Sequence, residues 1–173
     1  MGQPTTTRPG ATERQFIFGP ERLRATVLTT GAETEGRHDL TDGVLPPGAT
    51  VPLHLHTRYE ERLFVVSGSL TVWAGQDKLT LRAGDYYHVP LNTPHTFQAG
   101  SEGARSLNIS SPAGFAETIT RAGTPAHLAT PDAEFDLDLL MAVAACSERR
   151  APGSRTRSGP TSGLRRSLDV SGW

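Results

Sequence analysis

The chain has 173 residues, a formal net charge of −1 and 20% charged side chains. That length supports one domain with a real core, and the near-neutral balance argues against general affinity for nucleic acid. One cysteine, Cys146, excludes an intramolecular disulfide, and no apolar run approaches the roughly 20 residues of a membrane span. The N-terminus lacks the apolar core of a secretory signal, so the expected setting is the cytoplasm.

In chain order, residues 1–12 have the polar composition of a disordered tail. Short strands are predicted at residues 15–18 and 23–28, and residues 36–44 read as a strand with its turn. Leu45-Pro46-Pro47-Gly48 is a turn by its chemistry. Residues 50–56 form a strand with Pro52 inside it, which places them at an edge or a bulge. Residues 62–66 are apolar and β-branched, and the pattern predicts a hairpin at Ser67-Gly68 into residues 69–74. Gly75-Gln76-Asp77 and Ala83-Gly84-Asp85 turn into strands at 78–81 and 86–89, and strands at 96–99 and 106–109 close the series. Runs this short, separated by turns, predict an all-β sandwich or barrel.

The last third changes character. A short helix is expected up to about Ala122. A second is predicted where Leu137, Leu140, Met141 and Ala144 recur at i, i+3, i+4 and i+7. Both would pack outside the β-fold, with Cys146 a small buried hydrophobe beside the stripe. Residues 149–173 carry six arginines against Asp169 alone, with glycines, prolines and serines between them. Such a basic segment cannot bury enough surface to offset its ordering entropy. The expected organisation is a tail at 1–12, one domain at 13–147 and a disordered basic tail at 148–173.

The stretch His54-Leu55-His56-Thr57-Arg58-Tyr59-Glu60-Glu61 carries the chemistry, with His95 downstream. On a strand, side chains at i and i+2 share a face, so His54 and His56 point together. Three imidazoles and a carboxylate can hold a divalent transition metal.

These residues resemble the cupin family. Its first motif, G-x5-H-x-H-x(3,4)-E-x6-G, is filled by Gly48, His54, His56, Glu61 and Gly68. The spacing to Gly68 selects Glu61 over Glu60. Its second motif, G-x5-P-x-G-x2-H-x3-N, is matched by Gly84, Pro90 and His95. Asn92 stands for the second glycine and Ala99 for the asparagine. Asn92 is a mild change, because asparagine tolerates left-handed turn geometry. Residues 63–68 and 110–115 look like those of the quercetin-dioxygenase-like single-domain cupins.

The resemblance implies an all-β jelly-roll barrel in which His54, His56, Glu61 and His95 bind one divalent ion: Fe2+, Ni2+, Mn2+, Co2+ or Zn2+. It implies an oxidoreductase of the dioxygenase type acting on a small enolizable or phenolic molecule, with Glu61 also serving as base. The alternatives are a non-redox metal-dependent isomerase, cyclase or lyase, or a non-catalytic ligand-binding cupin. A homodimer is expected from the family and from exposed strand edges.

The pleat adds candidate pocket residues. If Glu61 points inward, so do Leu63 and Val65; if His95 does, so does Phe97. The metal would then lie at the base of apolar walls. His88 lines the pocket if Tyr86 and His88 face inward. The other parity turns Tyr87 and Val89 in, and leaves His88 an ordinary surface histidine. Tyr59 and Arg58 read best as part of a solvated loop at the barrel mouth.

Overall fold

The computed structural model describes residues 12–19 and 21–130, with positions 6, 135, 136, 138–140 and 143 besides. The basic tail lies outside the described residues, as do Cys146 and, from the second helical stripe, Leu137, Met141 and Ala144.

Among the described residues, a 3-10 turn at Thr12–Arg14 leads into eight strands: β1 (Gln15–Phe18), β2 (Leu23–Thr29), β3 (Asp39–Leu45), β4 (Glu60–Ala74), β5 (Asp77–Arg82), β6 (Tyr86–Val89), β7 (His95–Ser111) and β8 (Thr124–Pro125). One helix, α1 (Phe115–Ala122), lies between β7 and β8. The pairing order is β5-β4-β7-β3-β2-β1-β8, with β6 also on β4, and every pair is antiparallel. The expected all-β jelly-roll is the observed architecture.

Two long strands replace predicted pairs of short ones. No hairpin forms at Ser67-Gly68; β4 runs through it as one 15-residue strand, paired along its length with the 17-residue β7. The register shifts between Val65 and Ser67 and again between Gly68 and Leu70. Gly68 has φ +71, and a Cβ there would lie 2.1 Å from the carbonyl oxygen of Gly103 on the facing strand. A glycine with positive φ serves a bulge as readily as a tight turn.

The bulges have a consequence for facing. Before them Glu61, Leu63 and Val65 are buried; after them Leu70, Val72 and Ala74 are. The extra residues shift the pleat from odd to even positions, so both halves of β4 present their apolar side inward. On β7 the same change of phase separates His95, Phe97 and Ala99 from Ala104, Ser106 and Ser110. The hydrophobic residues among these close one apolar core with Leu45, Leu81 and Val89. Each large side chain buried there stabilises the fold by about 1.5–3 kcal/mol.

Residues 50–56 do not form a regular strand. The isolated bridges Thr50 to Gln98 and His54 to His95, with a hydrogen bond from the Thr96 hydroxyl to the Val51 carbonyl, tie this segment to the outer edge of β7. Pro52 offers no N–H to a ladder, consistent with an edge. Helix α1 packs Ala116 and Ile119 against Phe16, Ala25 and Val27, a second and smaller core. Buried Asp39 on β3 accepts hydrogen bonds from the backbone N–H groups of Gly114 (2.7 Å) and Ala116 (3.0 Å) at the start of α1. Burial raises the Asp39 pKa, opposed by those same N–H groups.

Candidate metal centre

Three chain segments converge on one point. His54 and His95 face each other in a bridge in which each donates its N–H to the other's carbonyl, at 3.0 and 2.8 Å. A pair that exchanges both bonds sets its side chains beside each other on one face, and the two rings have centroids 4.2 Å apart. His56 follows at i+2, its ring centroid 4.8 Å from that of His54. Its carbonyl accepts a hydrogen bond from the Asn92 N–H at 2.8 Å. Asn92 has φ +59, the left-handed geometry anticipated for that position. Glu61 enters from the start of β4, paired with Ser110 of β7 and Val89 of β6. One donor atom from each of His54, His56, Glu61 and His95 lies within 4.8 Å of all the others.

The hydrogen bonds show what the cluster demands. His54 Nδ1 lies 2.7 Å from the Pro52 carbonyl and His95 Nδ1 lies 2.8 Å from the Thr93 carbonyl. A carbonyl only accepts, so both Nδ1 atoms carry the hydrogen. In each ring Nε2 is then the nitrogen left to bind an ion. His95 Nε2 is 3.1 Å from Glu61 Oε2, and His56 Nε2 is 3.5 Å from the same oxygen. An imidazole lone pair against a carboxylate oxygen repels unless a proton or a cation sits between them. Donors that share an ion at about 2.1 Å lie roughly 3–3.5 Å apart, so the observed separations suit a shared metal. The backbone carbonyls act as the outer partners that fix the tautomer of a ligating histidine.

Charge follows the same pattern. Burial pushes the Glu61 carboxyl upward, but hydrogen bonds with His56 and His95 outweigh it and hold the group well below the usual carboxylate range. Burial, reinforced by neighbouring His95, takes the His54 imidazole from 6.5 down to about 4. His54 is therefore neutral near pH 7 and its lone pair is available. In the metal-free protein the unfolded chain takes up that proton first, so stability falls as pH drops from 6.5 toward about 4. Urea midpoints are expected to decline between about pH 7 and about pH 5, and a His54→Gln variant to show a flatter profile. An equal decline in both proteins would refute this assignment.

Of the candidate pocket residues, Leu63, Val65 and Phe97 face inward and are buried. His88 does not join them. It pairs with Arg62 on the outer face of β4, where its Nε2 meets Glu60 Oε2 at 3.2 Å. The inward parity belongs to Tyr87 and Val89, opposite Leu63 and Glu61. The walls are not uniformly apolar either: across β7 and β3, Ser106, Asn108, Ser110 and Thr41 lie on the same inner face as Glu61.

Two residues escaped the sequence reading. Tyr59 is not part of a solvated loop. It is buried, and its ring stacks on His56 at 4.3 Å with an interplanar angle of 27°. Asn108 Nδ2 donates to Glu61 Oε1 at 3.0 Å. The only early signal for Asn108 was its two-residue alternation with Ser106 and Ser110 in an otherwise apolar run.

An antiparallel jelly-roll with three imidazoles and a glutamate inside it is the defining arrangement of one class of protein, and the cupin-domain family matches residues 42–110. The chain belongs to the cupin superfamily. It is 31% identical over 125 residues to a quercetin 2,3-dioxygenase of Bacillus subtilis (strain 168), covering 70% of this chain and 35% of that one. It is 30% identical over 118 residues to a quercetin 2,3-dioxygenase of Aspergillus japonicus, covering 65% and 31%. The chain thus spans about a third of the length of these relatives. Among solved structures, an RmlC-like cupin from Shewanella frigidimarina NCIMB 400 superposes with a TM-score of 0.55 at 23% identity, over 65% of this chain and 96% of that one. That likeness is one of fold. Among the described residues, no helix is long and apolar enough to cross a membrane.

Proposed function

We propose that this cupin is a metal-dependent, quercetinase-like dioxygenase acting on a small enolizable or phenolic molecule. His54, His56, Glu61 and His95 would hold one divalent transition ion. The observation that carries the reading is the convergence of one donor atom each from His54, His56, Glu61 and His95 within 4.8 Å, with Nδ1–H···O=C bonds orienting the His54 and His95 rings. When bound, the ion supplies Lewis acidity toward a substrate oxygen and a redox centre for dioxygen.

The chain's own groups do the rest. Glu61 Oε1 is engaged by Asn108, so Oε2 is the oxygen that takes the proton of an enol or phenol. Phe97, Leu63 and Val65 keep water from the inner face. Tyr59 fixes the plane of the His56 ring by stacking. The similarity to two quercetin 2,3-dioxygenases supports a flavonol-like substrate class.

The test is dioxygen uptake with a flavonol, measured on protein whose metal content has been determined. Metal-loaded protein is expected to consume about one dioxygen per flavonol, and chelator-stripped protein none. Equal turnover without dioxygen, or full activity with redox-inert zinc, would refute the oxygenase and favour a non-redox isomerase, cyclase or lyase at the same site.

A further inference from the structure

We infer that Asn108 is a positioning residue for the metal centre, and that Ser106 sets its orientation. The inference rests on the metal-binding reading above. A carboxylate oxygen only accepts, so the Asn108 atom 3.0 Å from Glu61 Oε1 is the amide nitrogen. The amide oxygen then faces the other way, where Ser106 Oγ donates to it at 3.1 Å. Swapping the ends of the amide would place its oxygen against the carboxylate and leave the serine without its acceptor. The chain Ser106 to Asn108 to Glu61 therefore has one favourable direction.

Both groups are held by the strand rather than by a loop. Asn108 and Ser106 sit two apart on β7, on the inner face, with Asn108 flanked by Leu63 of β4 and Thr41 of β3. Ser106 is 1% exposed and Asn108 half-buried. The effect on the site is directional. With Oε1 held by Asn108, Oε2 faces His56 and His95. Without that bond the carboxylate could rotate about its terminal torsion and present either oxygen, or neither, to the imidazoles. Partners of this kind, which touch a ligand rather than the ion, typically change metal affinity by about 10–100-fold when removed.

The test is cobalt(II) binding to the full chain, read by chelator competition and by the ligand-field absorption bands, beside thermal unfolding of the metal-free proteins. Wild-type protein is expected to bind one cobalt ion. Asn108→Ala should bind it about 10–100-fold more weakly, with altered bands, while its metal-free unfolding temperature stays close to wild type. Ser106→Ala should weaken binding in the same direction, and Ser106→Thr, which keeps the hydroxyl, should restore it. Wild-type affinity and bands in Asn108→Ala would overturn the inference. If that variant fails to fold, equal affinities of Ser106→Ala and wild type would overturn it instead. Failure of wild-type protein to bind cobalt would overturn the metal reading itself, a different result from equal binding by all four proteins.

Discussion

Glu61→Gln is expected to lower turnover by about 10²–10⁴-fold, the range associated with loss of a general base. Glutamine keeps the length and shape of the side chain, and its amide oxygen can still accept from Asn108. The charge that attracts the ion is lost, and so is the group that takes the substrate proton. Metal content should fall in parallel, because the remaining donors are three neutral imidazoles. Stability of the metal-free protein should fall as well near pH 7, because the attraction of the carboxylate to His56 and His95 outweighs its burial penalty and is lost with the charge. Glu61→Asp separates the two losses. It retains a base but withdraws it by one methylene, so its turnover should fall with less loss of metal. Wild-type turnover in Glu61→Gln would remove Glu61 from the chemistry.

Gly68→Ala is expected to destabilise the fold by about 2–5 kcal/mol, against a typical total of about 5–15 kcal/mol. Two effects add. The residue has φ +71, a region an L side chain occupies at a cost of about 1–2 kcal/mol. Its new Cβ would also lie 2.1 Å from the Gly103 carbonyl oxygen, and neither backbone can yield without opening the β4–β7 ladder. Gly84→Ala is the control. Gly84 has φ +92 but nothing within 4 Å of a Cβ, so only backbone strain remains there. Urea or thermal unfolding should place Gly68→Ala well below Gly84→Ala. Equal stabilities would show that the close approach at the bulge carries no weight. Because the bulge also sets which residues of β4 face inward, metal affinity should fall with stability.

Much of the site was legible in one dimension because its geometry is local or periodic. His54 and His56 share a face by alternation, and Glu61 carries Leu63 and Val65 inward with it, as His95 carries Phe97. Asn92 adopts the left-handed turn that glycine would otherwise supply. Each of these follows from the neighbours of a residue along the chain.

The errors share one cause. Ser67-Gly68 has the local chemistry of a hairpin turn, and only the facing strand shows that the chain runs straight through. The parity of β6 could not be read from Tyr86-Tyr87-His88-Val89, where Tyr86, Tyr87 and His88 are all large and partly polar. Pairing with β4 assigns His88 to the outside, beside Glu60 and Arg62. Asn108 meets Glu61 across 47 residues of sequence.

The sequence by itself determined the fold class, the four candidate ligands and the inward set that travels with them, because strand periodicity and motif spacing are properties of contiguous residues. The tertiary structure alone decided the bulged continuity of β4 and β7, the facing of His88, the stacking of Tyr59 and the bond from Asn108. Those depend on which strand lies opposite and in what register, and register is set by the simultaneous burial of distant segments.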